Sequence, residues 1–195
     1  MDEHKKKLTA IKTIAECLTV SNKNKAKSIL EKEYAFTVAV NEKRKRVYTV
    51  KQKMKLFIKD GFIDRYTGEK LVNPGMLKVI SAIFPQEFPY QPHWKVTETH
   101  PAYWEFVPTI DHIIPIANGG IDAEENWATT SMLNNSIKSN WTLEQLKWHL
   151  FPPGNMNDWD GLTDNFVRIV DNDPTLNNDS YIRQWYEASK TYLKS

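Results

Sequence analysis

The sequence predicts an α+β protein: a helical N-terminal region, a small unit of two strands and one helix, and a helical C-terminal region. Three observations carry that prediction. Apolar residues recur at three- and four-residue spacing near both ends of the chain, the signature of amphipathic helices. Two short apolar stretches, near Val107 to Pro115 and near Trp127 to Thr130, read as strands joined by a loop that holds Asn118-Gly119-Gly120. Ser131 then stands where its hydroxyl caps a helix beginning near Met132.

Leu8, Ile11, Ile14, Ala15 and Leu18 define the first helix, which Ser21-Asn22 stops, and a second short helix covers Lys25 to Lys32. Cys17, beside Ala15 and Leu18, is read as a packed thiol rather than a nucleophile. Tyr34, Phe36, Val38 and Val40 alternate with smaller residues and fit either a strand or a continuing helix. Thr49-Val50-Lys51-Gln52 has the capping-box pattern, so a helix runs from 50 to 60, and Gly61 stands where a left-handed stop is unstrained. Phe62-Ile63 and Leu71-Val72 flank the Thr67-Gly68 turn as a hairpin. Asn73-Pro74 opens a helix through Ile83, and Pro85, Pro89 and Pro92 make the next segment irregular. After Ser131 the helical pattern runs past Asn140-Trp141 toward Leu150, where Pro152-Pro153 ends it. Leu162, Phe166, Ile169 and Val170 mark one amphipathic helix, and Tyr181, Ile182, Trp185 and Tyr186 another, separated by Asp173-Pro174.

The chain's 195 residues, 41% hydrophobic and 12% aromatic, suffice for one ordinary domain with an attached arm and exclude a disordered or collagen-like protein. No run approaches the roughly 20 apolar residues that cross a bilayer. Met1 to Lys12 is too charged for a signal peptide, so a cytoplasmic protein without a membrane partner is expected. Cys17 is the only cysteine, so neither an internal disulfide nor a four-cysteine zinc site can form. The net charge of +2 hides an asymmetry: residues 1–60 hold 16 of the 26 Lys and Arg against 7 of the 24 Asp and Glu, giving +9, and the remainder carries −7. Lys43, Arg44, Lys45 and Arg46 form the densest basic run, with Lys51, Lys53, Lys55 and Lys59 close behind. A charge run alone only keeps a surface solvated, but beside a candidate phosphodiester site it is the footprint of a polyanion partner.

That candidate site is the stretch Pro108-Thr109-Ile110-Asp111-His112-Ile113-Ile114-Pro115, then Gly119-Gly120, Asn126-Trp127 and Asn134-Asn135-Ser136-Ile137-Lys138. A phosphodiester resists attack because it is anionic and its leaving alkoxide is poor. A site must therefore make a nucleophile from water and neutralise charge on the phosphate. His112 suits the first task, since an unperturbed imidazole pKa of about 6.5 leaves a neutral fraction able to take a proton. Asp111 offers an oxygen to a hard cation and the Asn135 carboxamide a second. Few protein oxygens plus water and substrate phosphate is how Mg²⁺ is commonly held, so Mg²⁺, or Mn²⁺, is the expected cofactor.

These residues resemble the HNH, or ββα-metal, endonucleases. The resemblance rests on Asp111-His112-x-x-Pro115, the Gly119-Gly120 loop, and His112, Asn126 and Asn135 in register, with Lys138 completing an Asn-x-x-Lys pattern. It covers about thirty residues closely, and Tyr66-Thr67-Gly68-Glu69 looks like a preceding family hairpin. It implies His112 as general base, Asp111 and Asn135 as metal ligands, Asn126 as the brace of the inter-strand loop, and Lys138 as a phosphate contact. On that reading residues 1–60 are a basic helical region contacting nucleic acid. Residues 61–150 are the nuclease domain, with its ββα core at about 105–150, and residues 151–195 are C-terminal helices packing on the core. The expected reaction is hydrolysis of DNA to a 5′-phosphate product, in a setting of restriction or phage defence. An RNA-cutting or toxin-type effector and a catalytically inactive nucleic-acid-binding module are the alternatives. One catalytic unit cuts one strand, so a double-strand cut needs a homodimer or sequential nicking.

Relatives often fix this unit with two cysteine pairs on a structural zinc. No zinc is expected here, and packing by Trp94, Trp104, Trp127, Trp141 and Trp148 is the expected substitute. Adjacent strand residues point to opposite faces, so a bend or bulge is expected at Asp111-His112 to aim both at one phosphate. Asn134 is the register alternative to Asn135. His4, His93, His100 and His149 are expected on the surface or in packing, with His100 the nearest to the site in sequence.

Overall fold

A computed structural model describes residues 3–33 and 47–193, and the chain divides into two compact units, residues 1–43 and 44–195. In the first unit α1 (Glu3–Thr19) and α2 (Lys23–Glu33) pack on each other. Small side chains allow the approach: Ala10, Cys17 and Ala26 are buried. Ser21, at a φ of 57°, turns the chain between the two helices. The stretch holding Tyr34, Phe36, Val38 and Val40, and the basic run Lys43-Arg44-Lys45-Arg46, lie outside the described residues.

The second unit mixes helices with one small antiparallel sheet and is mostly helical. Its first helix, α3 (Val50–Lys59), begins with the capping box that the sequence spells: the Gln52 amide donates to the Thr49 hydroxyl and the Gln52 side chain accepts from the Thr49 amide. Gly61 follows at a φ of +69°, and a Cβ there would come within 2.3 Å of the Gly154 backbone, so geometry and space both require glycine. Residues 62–72 form the hairpin as a single bridge, Ile63 with Lys70, rather than as two strands. Asn73 caps α4 (Pro74–Ile83) through the Gly75 amide, with proline in the first turn. A short helix that periodicity does not reveal, α5 (Ala102–Phe106), then packs Tyr103 among Phe88, Tyr90 and Trp94.

Strands β1 (Pro108–His112) and β2 (Trp127–Ser131) form the sheet, and Ser131 caps α6 (Met132–Lys138) through the Asn134 amide. The helix does not continue to Leu150. Ser139 adopts a φ of 46°, which breaks the helical path, and Thr142 with Gln145 opens a second capping box for α7 (Leu143–Leu146). The tail forms α8 (Thr163–Asn172) and α9 (Ser180–Leu193), joined through a short 3₁₀ turn at Pro174–Asn178.

The charge balance changes at residue 60, and the compact units divide after residue 43. Met54, Leu56 and Phe57 of α3 are buried in one core with Phe166 and Val170 of α8 and Ile182 and Trp185 of α9. The exposed Lys51, Lys55 and Lys59 report only the solvent side of α3. Among the described residues no helix is long and apolar enough to cross a membrane.

Trp148 packs against Tyr66 of the hairpin with ring centres 5.7 Å apart, whereas Trp141 is 55% exposed. The buried Asp64 adds a polar tie between the hairpin and the sheet. Its Oδ2 accepts from the Thr130 hydroxyl at 3.0 Å and from the Ser131 amide and Asn134 Nδ2 at 2.8 Å, while Oδ1 accepts from the Tyr66 amide at 2.9 Å. One carboxylate thus joins the hairpin, β2 and the start of α6. A buried acceptor satisfied several times over is a strong local tie.

Candidate functional site

β1 is short, and its side chains alternate between two faces of the sheet. Among the described residues the pairing stays one to one from Pro108 opposite Ser131 to His112 opposite Trp127, so the bend or bulge expected at Asp111-His112 is not found. The two side chains accordingly acquire separate partners.

Asp111 is buried, and its Oδ2 accepts from the Tyr66 hydroxyl at 2.5 Å and pairs with Lys138 Nζ at 2.7 Å. Burial, foremost, and the adjacent Asp111 carboxylate push the Tyr66 hydroxyl far above the ordinary phenol range, so it stays a donor. Lys138 has no exposed surface, and its ammonium also donates to the His112 carbonyl at 2.7 Å and lies 5.7 Å from the centre of the Tyr66 ring. A charge enclosed in this way answers an internal carboxylate, because an unpaired buried carboxylate is expensive.

His112 engages different residues. Its Nε2 lies 2.9 Å from Asp122 Oδ1 and 3.5 Å from the Tyr48 hydroxyl. The same Asp122 oxygen accepts from the Tyr48 hydroxyl at 2.6 Å and from Trp127 Nε1 at 3.0 Å. Burial pushes the Asp122 carboxyl up, but the bonds from Tyr48, His112 and Trp127 outweigh it and hold the group below the usual carboxylate range. Asp122 is therefore an anion at neutral pH.

Asn126 spans the inter-strand loop. Its Oδ1 accepts from the Ile114 amide at 2.9 Å, and its Nδ2 donates to the carbonyls of Ile114 and Ile121 at 2.9 and 2.8 Å. The loop can close this tightly because position 120 is glycine: a Cβ there would stand 1.9 Å from the Ile114 oxygen and 2.9 Å from Asn126 Nδ2.

On α6 the two neighbouring asparagines face different partners. Asn134 reaches Asp64, whereas Asn135 Nδ2 donates to the Thr109 hydroxyl at 3.0 Å and sits 3.5 Å from the Ile110 carbonyl. Asn135 therefore lies over β1, on the face that Thr109 shares with Asp111. Lys138 is the α6 residue that meets Asp111 itself. The structure brings Asp111 together with Lys138 and Tyr66, and His112 together with Asp122; no hydrogen bond joins Asp111, His112 and Asn135 directly among the described residues. His100 accepts from the Ala102 amide and stacks on Phe88 at 4.1 Å, a packing role.

The donor chemistry suits a hard cation only sparingly. Among the described residues Asp111 Oδ1 and Asn135 Oδ1 make no hydrogen bond, which leaves one carboxylate and one carboxamide oxygen to offer. No group of three His, Cys, Asp or Glu side chains there is arranged to hold a metal ion. A lean oxygen set of this kind fits Mg²⁺ when substrate phosphate and water complete the shell.

Asp122, Tyr48 and Asp64 are residues that sequence reasoning leaves out, and Tyr66 enters it only as part of a hairpin. Their partners lie between 45 and 74 positions away for Tyr66, Asp64 and Tyr48, so no local spacing signals them. Asp122 follows Gly120 by two positions, and a carboxylate so close to a proposed base is the one signal available. Comparison with protein-family models, with curated proteins and with solved structures returned no match.

Proposed function

We propose that this chain is a metal-dependent endonuclease of the HNH kind, hydrolysing phosphodiester bonds in DNA. The observation that carries the reading is an imidazole at the end of β1, paired to an anion, next in sequence to a carboxylate that faces α6 and Asn135. The two-strand hairpin running straight into α6 is the arrangement that the Asp111-His112, Gly119-Gly120, Asn126 and Asn135 pattern implies.

In this reading His112 takes a proton from water, and the water oxygen attacks phosphorus as the bond to the 3′ oxygen breaks. Asp111 Oδ1 and Asn135 Oδ1 would hold the cation, which when bound supplies positive charge to the phosphate and the departing oxygen. Tyr66 and Lys138 fix the Asp111 carboxylate in place through its other oxygen. Asn126 holds the loop that follows His112, so the base is carried on a braced turn rather than on a loose segment.

One observation favours the binding module without cleavage: Lys138 already neutralises Asp111. The two readings part on a single experiment. Supercoiled plasmid is incubated with the protein with Mg²⁺, with Mn²⁺ and with chelator, beside His112→Ala. Nicking that needs the cation and disappears in His112→Ala supports the nuclease. Retention of the plasmid in a gel shift, with no cut in either metal, supports the module. Duplex DNA, single-stranded DNA and RNA compared side by side fix the polymer.

A further inference from the structure

Asp122 lies outside the recognised motif, yet its carboxylate oxygen lies 2.9 Å from His112 Nε2. Among the described residues three groups come within hydrogen-bond distance of its Oδ1: the Tyr48 hydroxyl from the residues before α3, His112 Nε2 from the end of β1, and Trp127 Nε1 from the start of β2. His112 and Trp127 are Cα partners across the sheet, so their side chains leave on the same face, and Tyr48 packs edge-on to Trp127 with ring centres 5.0 Å apart. The Trp127 indole can only donate. An acceptor held from these sides is a fixed point against which an imidazole can be oriented.

We infer that Asp122 is a positioning residue for His112: it holds the hydrogen on Nε2 and so makes Nδ1 the nitrogen that receives the proton from the attacking water. The inference rests on the nuclease reading above and adds to it which nitrogen acts and what sets the tautomer. Neutral imidazole has one donor and one acceptor nitrogen. Because the Asp122 oxygen is an anionic acceptor, the hydrogen belongs on Nε2, and Nδ1 keeps the lone pair; among the described residues Nδ1 has no hydrogen-bond partner. In the step, one water proton moves to Nδ1 and the oxygen pair forms the new bond to phosphorus. The bond to the 3′ oxygen breaks with its electrons, and that oxygen takes a proton from solvent. The imidazolium so formed has N–H groups on both nitrogens and remains bonded to Asp122, which stabilises the charge as it appears.

The test compares wild type, Asp122→Asn and Asp122→Ala by steady-state cleavage with Mg²⁺ and by ¹⁵N NMR of histidine-labelled protein. Asp122→Ala is expected to lower kcat about 10- to 100-fold, the range seen when a partner that orients a functional histidine is lost, with KM unchanged. Asp122→Asn keeps an acceptor oxygen without the charge and should fall between. In the spectra, neutral wild-type His112 shows a protonated Nε2 and an unprotonated Nδ1, and Asp122→Ala populates both tautomers. A wild-type kcat in Asp122→Ala, or a protonated Nδ1 in neutral wild-type His112, overturns the inference. So does a loss of activity that follows unfolding while the tautomer of the folded protein stays unchanged. If wild type itself fails to cleave with either metal, the nuclease reading falls, and with it Asp122's catalytic purpose; the tautomer measurement then still decides separately whether the pair sets the imidazole.

Discussion

The Lys138 ammonium lies 2.7 Å from Asp111 Oδ2 with none of its side chain in contact with solvent. This pair binds α6 to β1 from inside, so the Asn-x-x-Lys spacing has a structural purpose as well as any chemical one. Removing one partner strands the other charge in a buried site, at about 3–5 kcal/mol. Lys138→Met should lower stability by about 3 kcal/mol in urea denaturation, while Lys138→Met with Asp111→Asn should recover much of that loss. Because the ammonium is enclosed, Lys138→Met should leave the salt dependence of DNA binding by the folded protein unchanged. A shallower salt slope, with full stability, would restore the phosphate role.

Adjacent glycines in the inter-strand loop should respond differently to the same methyl group. At Gly119 an added Cβ meets nothing within 4 Å, and only the φ of +87° resists it. Gly119→Ala should therefore cost about 1 kcal/mol of left-handed strain. At Gly120 the methyl would run into the Ile114 carbonyl and the Asn126 amide. Gly120→Ala is expected at or above the upper end of the roughly 1–3 kcal/mol of an overpacked site, with cleavage falling as the brace on the loop shifts. Equal losses in thermal denaturation would contradict this account of the loop.

The parts of the fold governed by local chemistry can be read from sequence. Thr49 with Gln52, Asn73 before Pro74, and Ser131 before Met132 each place a helix start where it is found, because a cap needs only neighbours. The stop of α6 cannot be read that way: Asn140-Trp141 continues a helical pattern, and only the backbone of Ser139 shows the break. Which of the two asparagines lies over β1 is likewise a tertiary matter. Asn134 and Asn135 are chemically identical, and Asp64, seventy positions from Asn134, is what claims the first of them. The same distance hides Asp64 as the tie from the hairpin to β2 and α6. Composition points to the tryptophans because burial of aromatics is a bulk property, whereas a carboxylate with four donors is visible only after folding.

Stability should also fall in acid through Asp179. Its Oδ1 accepts from the Tyr181 and Ile182 amides at the start of α9, at 2.8 and 3.1 Å, and its Oδ2 pairs with Lys78 at 3.1 Å. Burial pushes the carboxyl up, but the Ile182 amide, the Lys78 ammonium and the Tyr181 amide outweigh it and bring it below its ordinary value. A carboxyl depressed in the folded state stabilises above its unfolded pKa of about 3.9 and loses that contribution as pH falls through the folded value. Asp179→Ala should thus be less stable than wild type by about 1 kcal/mol at pH 7, the usual effect of a lost cap. The gap should begin to narrow below the unfolded pKa of about 3.9 and close as pH falls through the lower folded value. Denaturant midpoints at both pH values check it, and a gap that widens in acid would reverse the assigned sign.

Lys51, Lys55 and Lys59 are exposed and spaced by four, so they line one face of α3, the helix whose N-terminal approach carries Tyr48 to His112. They are not equivalent. Lys55 donates to both oxygens of Glu124 at 2.7 and 2.8 Å, so it meets a phosphate only by leaving a carboxylate, whereas Lys53 is largely buried and its pKa is lowered by that burial. If the proposed DNA path follows this face, Lys51→Gln and Lys59→Gln should each weaken binding to any sequence and reduce the slope of log K against log salt by about one. Glu124→Gln, which removes a competing anion, should tighten binding, and Lys53→Gln should change the slope least. Fluorescence anisotropy over a salt series separates these effects. Four identical slopes would move the polyanion contact off α3 and onto some other part of the basic region.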